Sequence, residues 1–135
     1  MVRNAGLIKI VRELKKSKLV EAIYLFGSHA KGTQTPFSDV DICVITQKGI
    51  PLYAKAGLTS GSSEKIEVTA FWDMPVYIRY RVLKEGKPLF VRDREFVNRV
   101  TIWTLREYFD FRPVIERFSK EYFGGRKWTE KELSR

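Results

Sequence analysis

Apolar and polar residues follow two different periods along the chain, and the change between them predicts where helices and strands lie. In "MVRNAGLIKIVRELKK" the apolar residues recur at helical spacing among basic ones, which predicts an amphipathic helix over residues 4–18. Two apolar runs follow, "LVEAIYLF" at 19–26 and "DVDICVI" at 39–45. Their length and β-branched content, and the turn residues after each, predict two buried strands.

The second half of the chain continues this exchange of helices and strands. Pro88 cannot donate a hydrogen bond to a ladder, so we expect its strand at a sheet edge, and we expect Pro113 to kink or split the last helix. The predicted elements are a weak helix near 52–58, a strand at 65–71, a helix at 74–86, a short strand at 87–93, a long helix from Arg94 to about Tyr122 and a frayed tail, "GGRKWTEKELSR".

This order predicts an α/β (α+β) fold, a mixed β-sheet covered by helices, with a C-terminal helical extension. A chain of 135 residues is expected to form one domain. We place its main domain at residues 1–93 and the helical extension with its tail at residues 94–135, packed on the same domain.

Two carboxylates stand at the start of the second strand, where burial without a partner would cost stability. Side chains at i and i+2 of a strand share a face, so Asp39 and Asp41 project together while Val40 and Ile42 turn to the opposite, packed face. Because like charges repel, either water or cations must neutralise the pair. Hard oxygen ligands at this spacing suit Mg²⁺, which completes its shell with water and substrate phosphates.

A glycine and a serine follow the first strand. Gly27 allows a tight turn and a close approach of the backbone to a ligand. If a helix begins at Ser28, its N–H groups would point at that ligand and favour phosphate, the Ser28 hydroxyl would add a donor, and Gly32 would let the loop close. Alone, a Gly-Ser pair is mostly a turn and an Asp-x-Asp mostly a solvated loop. In this order, each beside a buried strand, they predict a phosphoryl- or nucleotidyl-transfer site.

The stretch "GSHAKGTQTPFSDVDICV" resembles the signature of the nucleotidyltransferase superfamily that includes DNA polymerase β, most closely its minimal nucleotidyltransferase (MNT) branch. The resemblance implies that the Gly-Ser turn binds the triphosphate of an incoming NTP. It also implies that Asp39 and Asp41 bind two Mg²⁺ ions together with a third carboxylate. The nucleotide-binding residues that it implies are Gly27, Ser28, Lys31 and Ser38.

The resemblance covers about residues 19–93 and places the third carboxylate on the next strand. "KIEVTAFWDMPVYIRYRVLKEGKPLFVRD" is similar to the later segment of the branch and puts that carboxylate at Glu67, where the branch more often has aspartate. A solvent-facing ion pair is the structural alternative for Glu67. Asp73 is the rival third carboxylate, although a helix N-cap explains it more plainly.

Several other residues carry weaker signals. His29 is expected to be a solvent-exposed loop residue, and Lys31 either contacts phosphate or is solvated. Cys43, the one cysteine, excludes an internal disulfide and is expected to be a small buried hydrophobe. In the last helix, Phe96, Val100 and Trp103, broadened by Val97 and Leu105, are predicted to face inward. The other aromatic residues there belong either to the core or to a protein interface.

The net charge of +9 favours acidic partners, namely nucleotides, nucleic acid or an acidic protein. No block of five basic residues occurs, so a solvated basic surface explains the charge at least as well as a nucleic-acid groove, which we do not favour. No apolar stretch approaches the roughly 18 residues that a membrane-spanning helix needs. We therefore expect no membrane partner and a cytoplasmic protein, and the oligomeric state, including a homo-oligomer, stays open.

The resemblance is strongest to the MNT antitoxins of HEPN–MNT toxin–antitoxin pairs. It implies an Mg²⁺-dependent nucleotidyltransferase that transfers NMP, here AMP from ATP, to a tyrosine hydroxyl of a HEPN toxin. One alternative is an antitoxin that acts by protein contact alone. Another is a small-molecule nucleotidyltransferase, although such enzymes usually carry a larger second domain for the acceptor.

Overall fold

The computed structural model describes residues 5–27, Gly32, 39–62 and 65–122, with the side chains of the last helix described up to Val114 and at Glu116 and Arg117. In this part of the chain the elements are α1 (Ala5–Lys15), β1 (Val20–Phe26), β2 (Val40–Thr46), α2 (Leu52–Thr59), β3 (Ile66–Ala70), α3 (Val76–Glu85), β4 (Lys87–Val91) and α4 (Arg94–Tyr122). The predicted helices and strands are confirmed to within three residues. A 3₁₀ turn at Phe71–Asp73, between β3 and α3, is not predicted.

The four strands form one mixed sheet in the order β3-β2-β1-β4. β1 pairs antiparallel with both β2 and β4, whereas β2 and β3 run parallel and are joined by a crossover through α2. The predicted mixed sheet is therefore confirmed. β4 lies at an edge, as the missing N–H of Pro88 requires.

The alternation of side chains along β2 divides the core into two layers. Val40, Ile42 and Val44 face the side of the sheet covered by α1, where they pack with Leu7 and Leu14. The alternate residues Cys43 and Ile45 face the other side, where residues of the 3₁₀ turn, α3 and α4 complete the layer: Phe71, Met74, Val82, Phe96, Val97 and Val100. Cys43 is fully buried, as predicted, and burial raises the pKa of its thiol.

The long helix α4 packs through its first half. Its start is capped by Asp93, whose Oδ1 accepts a hydrogen bond from the Phe96 N–H at 3.2 Å. The inward stripe runs through Phe96, Val97 and Val100 and continues to Thr104 and Tyr108. The inward placement of Trp103 is wrong, since that side chain is 49% exposed. One residue turns the helix by about 100°, and the stripe passes through position 104 instead.

Pro113 does not split the last helix, because α4 continues through it as one element. Its ring and the side chains of Arg112, Val114, Glu116 and Arg117 are all exposed. A helical segment exposed on several sides gains little from its own domain. These described side chains thus gain little from packing within the domain.

Side chains of α3 attach α4 to the domain. Arg79, which is buried, donates both terminal guanidinium nitrogens to the Glu107 carboxylate at 3.1 Å and its Nε to the Met74 carbonyl at 2.9 Å. Close by, the Tyr80 and Tyr108 rings stack with centroids 4.0 Å apart. These contacts fix where the first half of α4 lies.

No helix in the described residues is both long and apolar enough to span a lipid bilayer. The predicted tail, residues 124–135, lies outside the described part of the chain.

Candidate active site

The pairing of the strands brings the predicted site residues to one edge of the sheet. Because β1 and β2 are antiparallel, the end of β1 meets the start of β2, with Phe26 opposite Asp41. Because β2 and β3 are parallel, both strands start at that same edge, with Asp41 opposite Glu67. Gly27, Asp41 and Glu67 therefore come together through backbone pairing, although 40 positions separate the first from the last.

The carboxylates share one face at that edge. Residues paired across adjacent strands point to the same side of a sheet, so Asp41 and Glu67 do so, about 5 Å apart at their Cα atoms. Asp39 directly precedes β2, two residues before Asp41. Asp41 is half-buried, whereas Asp39 and Glu67 are exposed. The predicted packing of Val40 and Ile42 on the opposite face is confirmed.

Gly27 lies directly against the Asp41 carboxylate. Its φ of +78° is in the left-handed region that glycine adopts without strain. A Cβ atom built on it would lie 2.7 Å from Asp41 Oδ2, closer than real Cβ atoms come to a neighbour. Sequence reasoning predicted a close approach to a ligand at this glycine. The structure adds that its missing side chain makes room for the carboxylate.

A second glycine near this edge was missed as a determinant of the site. A side chain on Gly86 would collide with the Val82 carbonyl and would lie 3.1 Å from the Leu25 carbonyl. Because Gly86 has no side chain, the chain can turn from α3 into β4 while it lies close to β1. The neighbour in β1, Leu25, is two residues before Gly27. The signal was present in the sequence as the glycine between a helix and an edge strand, but the neighbour in β1 could not be read from it.

Asp73, the rival third carboxylate, is placed elsewhere. It follows the carboxyl end of β3. The strand already runs about 10 Å from Glu67 to Ala70, away from the edge that carries the site. Its Oδ1 forms an ion pair with Lys55 Nζ at 2.9 Å. The N-cap explanation is wrong, because Pro75 holds the N-cap position of α3. Of the two candidates, Glu67 alone shares an edge with Asp41.

The donor set at the edge consists of hard carboxylate oxygens. In the part of the chain that the structure describes, no group of three or more histidine, cysteine, aspartate or glutamate side chains could hold a metal ion as placed. Mg²⁺ does not need such a cage, because it binds through one or two carboxylates and keeps water and substrate phosphates as its other ligands. Asp39, Asp41 and Glu67 fit that ion by chemistry, and Asp41 and Glu67 also by register.

Three of the predicted site residues, Ser28, Lys31 and Ser38, lie outside the described residues, and so does His29, which is predicted to be an exposed loop residue. Gly32 is described, with a φ of +73° and nothing within 4 Å of the position of a Cβ atom. The backbone at this position therefore takes a turn conformation that suits glycine.

The profile of the family described as "Polymerase beta, Nucleotidyltransferase" matches residues 8–95, more than half of the chain. The chain belongs to this nucleotidyltransferase family. The match spans β1 to β4 and so includes the whole edge that carries Gly27, Asp41 and Glu67. Members of the family use a nucleoside triphosphate and a divalent metal ion.

One curated relative of this nucleotidyltransferase comes from Methanocaldococcus jannaschii and is named "Putative protein adenylyltransferase". The two are 31% identical over 71 residues, which is 53% of this chain. The chain spans only about half the length of that relative, since the match covers 56% of it.

Solved structures share the fold. A chain of a toxin–antitoxin complex with AMP-PNP is 22% identical and aligns with a TM-score of 0.65 over 87% of this nucleotidyltransferase and 98% of that chain. A chain of the complex between a tri-AMPylated Shewanella oneidensis HEPN toxin and its MNT antitoxin is 19% identical, with a TM-score of 0.56 over 83% and 92% of the two chains.

Proposed function

We propose that this protein is an Mg²⁺-dependent adenylyltransferase that moves AMP from ATP to a tyrosine hydroxyl of a HEPN-type toxin, and so acts as an antitoxin. The observation that carries the proposal is the register of Asp41 with Glu67, beside Gly27, at one edge of the sheet. The named relative and the AMPylated toxin complex support the choice of AMP and of a protein acceptor.

Asp39, Asp41 and Glu67 would hold the metal ions, which supply charge stabilisation for the phosphates and for the attacking oxygen. Asp41 lies in β2 and Asp39 directly before it, so both carboxylates can orient a bound triphosphate from the start of one strand. Glu67, on the neighbouring strand, is placed to accept the proton of the acceptor hydroxyl. The acceptor oxygen then bonds to the α-phosphorus, the bond from that phosphorus to the bridging oxygen breaks, and pyrophosphate leaves.

The glycine-rich turn supplies the other half of the proposed site. Gly27 holds the chain against Asp41, and the following residues Ser28, Lys31 and Ser38 are proposed to contact the triphosphate. Backbone and hydroxyl donors suit phosphate oxygens, and a lysine adds a positive charge.

The test uses ATP labelled at the α-phosphate, with Mg²⁺ and, as acceptor partner, a HEPN protein from the same organism. We expect label on the partner, at a tyrosine identified by mass spectrometry, and no transfer from γ-labelled ATP. The Asp41→Asn variant should lose transfer, while Glu13→Gln, which removes an exposed carboxylate on α1, should keep it. Neutralisation of the toxin without any label would contradict the enzyme and favour an antitoxin that acts by contact.

Metal binding is tested separately by thermal unfolding. Mg²⁺ should raise the melting temperature of the wild type by an amount that grows with the logarithm of its concentration, and should have little effect on Asp39→Asn or Asp41→Asn. Equal shifts in all three proteins would contradict the metal site.

A further inference from the structure

The outer face of α4 is apolar and unusually exposed for a helix of a small domain. The helix has 29 residues and is therefore about 43 Å long. On its outer side, Ile102 is 50% exposed, Trp103 49%, Phe109 57% and Val114 57%. At about 100° per residue these side chains and Pro113 lie within one arc of roughly 140°, opposite the stripe that packs on the sheet. We call this arc the outer face.

The middle of the outer face also carries charged side chains. Arg106 and Asp110 lie one turn apart on this arc and are exposed. Among the residues that the structure describes, neither takes part in an ion pair, whereas Arg112 pairs with Glu116 further along the helix at 3.2 Å. Across a two-fold axis midway between them, each of two opposite charges four residues apart can pair with the image of the other.

We propose that the outer face is the interface of a homodimer, in which α4 packs antiparallel against α4 of a second copy. The two-fold axis would pass at the height of residue 108, midway between Arg106 and Asp110. Each arginine then meets the aspartate of the other copy, which gives two equivalent ion pairs. The proposal does not depend on the chemistry at the carboxylate edge.

The same axis pairs the apolar residues. Trp103 comes opposite Val114 of the second copy, and Ile102 comes opposite Pro113, because the two members of each pair lie five and six residues from the axis, a difference of about 1.5 Å, and at nearly equal angles around the helix. Phe109 lies beside the axis, where it meets its own image. An outer face built for an unlike partner has no reason to be symmetric in this way.

Exposed apolar side chains near the end of the described helix gain a partner in this arrangement. Pro113 and Val114 are exposed in the single chain, and in the dimer they would pack on the first half of α4 of the other copy. A helix gains most of its stability from such packing of an apolar face. The contact is confined to one helix face from each copy, so we expect an interface at the small end of the specific range and a dimer that dissociates on dilution.

The test is a charge exchange, read by sedimentation velocity on the full chain from about 10 µM to 1 mM. The wild type should dimerise with rising concentration. Arg106→Asp or Asp110→Arg alone places two like-charged pairs in the interface and should weaken the dimer by roughly tenfold or more. The double variant Arg106→Asp, Asp110→Arg should restore it.

Matched controls lie on α1, where Glu13 and Lys16 form an exposed ion pair at 3.1 Å. Lys16→Glu and Glu13→Lys change the net charge as much as the two α4 variants and should leave the dimer unchanged. Far-UV circular dichroism and the melting temperature check that each variant is folded.

A wild type that stays monomeric over the whole range would overturn the proposal. So would a double variant that stays as weak as the single ones. If the wild type is monomeric and the outer-face variants instead lose binding to a HEPN partner, the face belongs to an unlike protein and the homodimer is wrong.

Discussion

Gly27 occupies a position that other residues do not fit, for two separate reasons. Its φ of +78° costs an L-residue about 1–2 kcal/mol, and its Cβ atom would meet Asp41 Oδ2 at 2.7 Å. Gly27→Ala should therefore lower the melting temperature and also move the Asp41 carboxylate. A shift of about 1 Å in a positioning group can cost about 100-fold in rate, so we expect turnover to fall by that order.

Gly49→Ala is the matched control for this change. Gly49 has a φ of +83° and nothing within 4 Å of a Cβ atom, and it lies at the other end of β2. The variant should share the backbone strain, measured as a lower melting temperature, and should keep its turnover, measured as AMP transfer. Equal loss of turnover in the two variants would mean that strain alone, and not contact with Asp41, explains Gly27.

Glu67 and Asp73 can be separated by the same assay. Glu67→Gln keeps the size of the side chain but removes the proposed proton acceptor, so turnover should fall by about 10²- to 10⁴-fold while the protein stays folded. Asp73→Asn removes the ion pair with Lys55 and should cost at most about 1 kcal/mol of stability, with turnover nearly unchanged. The reverse pattern would place the third carboxylate at Asp73 and contradict the register argument.

At the scale of elements, the contact of α3 with α4 depends on Arg79 and Glu107. The hydrogen bonds from Arg79 hold the pKa of the Glu107 carboxyl below its usual value, an effect that partial burial opposes. Because the folded-state pKa is lowered, the pair stabilises the fold fully above the unfolded pKa of about 4.5. This stabilisation is lost as the pH falls through the folded-state pKa.

Glu107→Gln should therefore be less stable than the wild type at pH 7, by about 1 kcal/mol, because the Arg79 donors lose a charged acceptor. The loss is no larger because the Glu107 side chain is half-exposed, so water can take over part of these hydrogen bonds. The difference should shrink below pH 4.5 as Glu107 of the wild type becomes protonated. Urea unfolding at a series of pH values measures both quantities. A difference that stays constant with pH would show that the charge of Glu107 does not contribute.

At the scale of the whole molecule, the single cysteine reports on global unfolding. Cys43 lies at the centre of the sheet with no exposed surface, and burial raises the pKa of its thiol. A disulfide reagent should modify it at least about a thousand times more slowly in the folded chain than in urea. Ser60→Cys, at an exposed position after α2, provides an accessible thiol for comparison. Prompt modification of Cys43 in the native protein would contradict its burial.

How far the sequence predicts this molecule depends on whether the signal is local. The alternation of side chains in β2 correctly places Val40 and Ile42 on the packed face of the sheet, opposite Asp41. Pro88 correctly predicts an edge strand. Partners that are distant in sequence were not readable. The residues around Asp73 do not predict its ion pair with Lys55, 18 residues earlier. Those around Gly86 do not predict its contact with the Leu25 carbonyl.

The error at Trp103 has a different cause. Several aromatic residues follow one another in α4, so hydrophobicity alone fits more than one inward stripe. The true stripe includes Thr104, a polar residue that is buried. The candidate third carboxylate shows the same limit in the sheet. Periodicity gives the face of Glu67, but its parallel pairing with Asp41 comes from the fold.

The crossover between β2 and β3 has a consequence for protein engineering. Backbone pairing sets Asp41 opposite Glu67, so the connection only has to return the chain to the start of β3. Its helix, α2, contains no fully buried residue, and the entropy cost of a longer connection grows slowly with length. A ligand-binding domain inserted between residues 52 and 59 would leave the carboxylate edge in place. This crossover is therefore a suitable insertion site for making the enzyme respond to a chosen ligand.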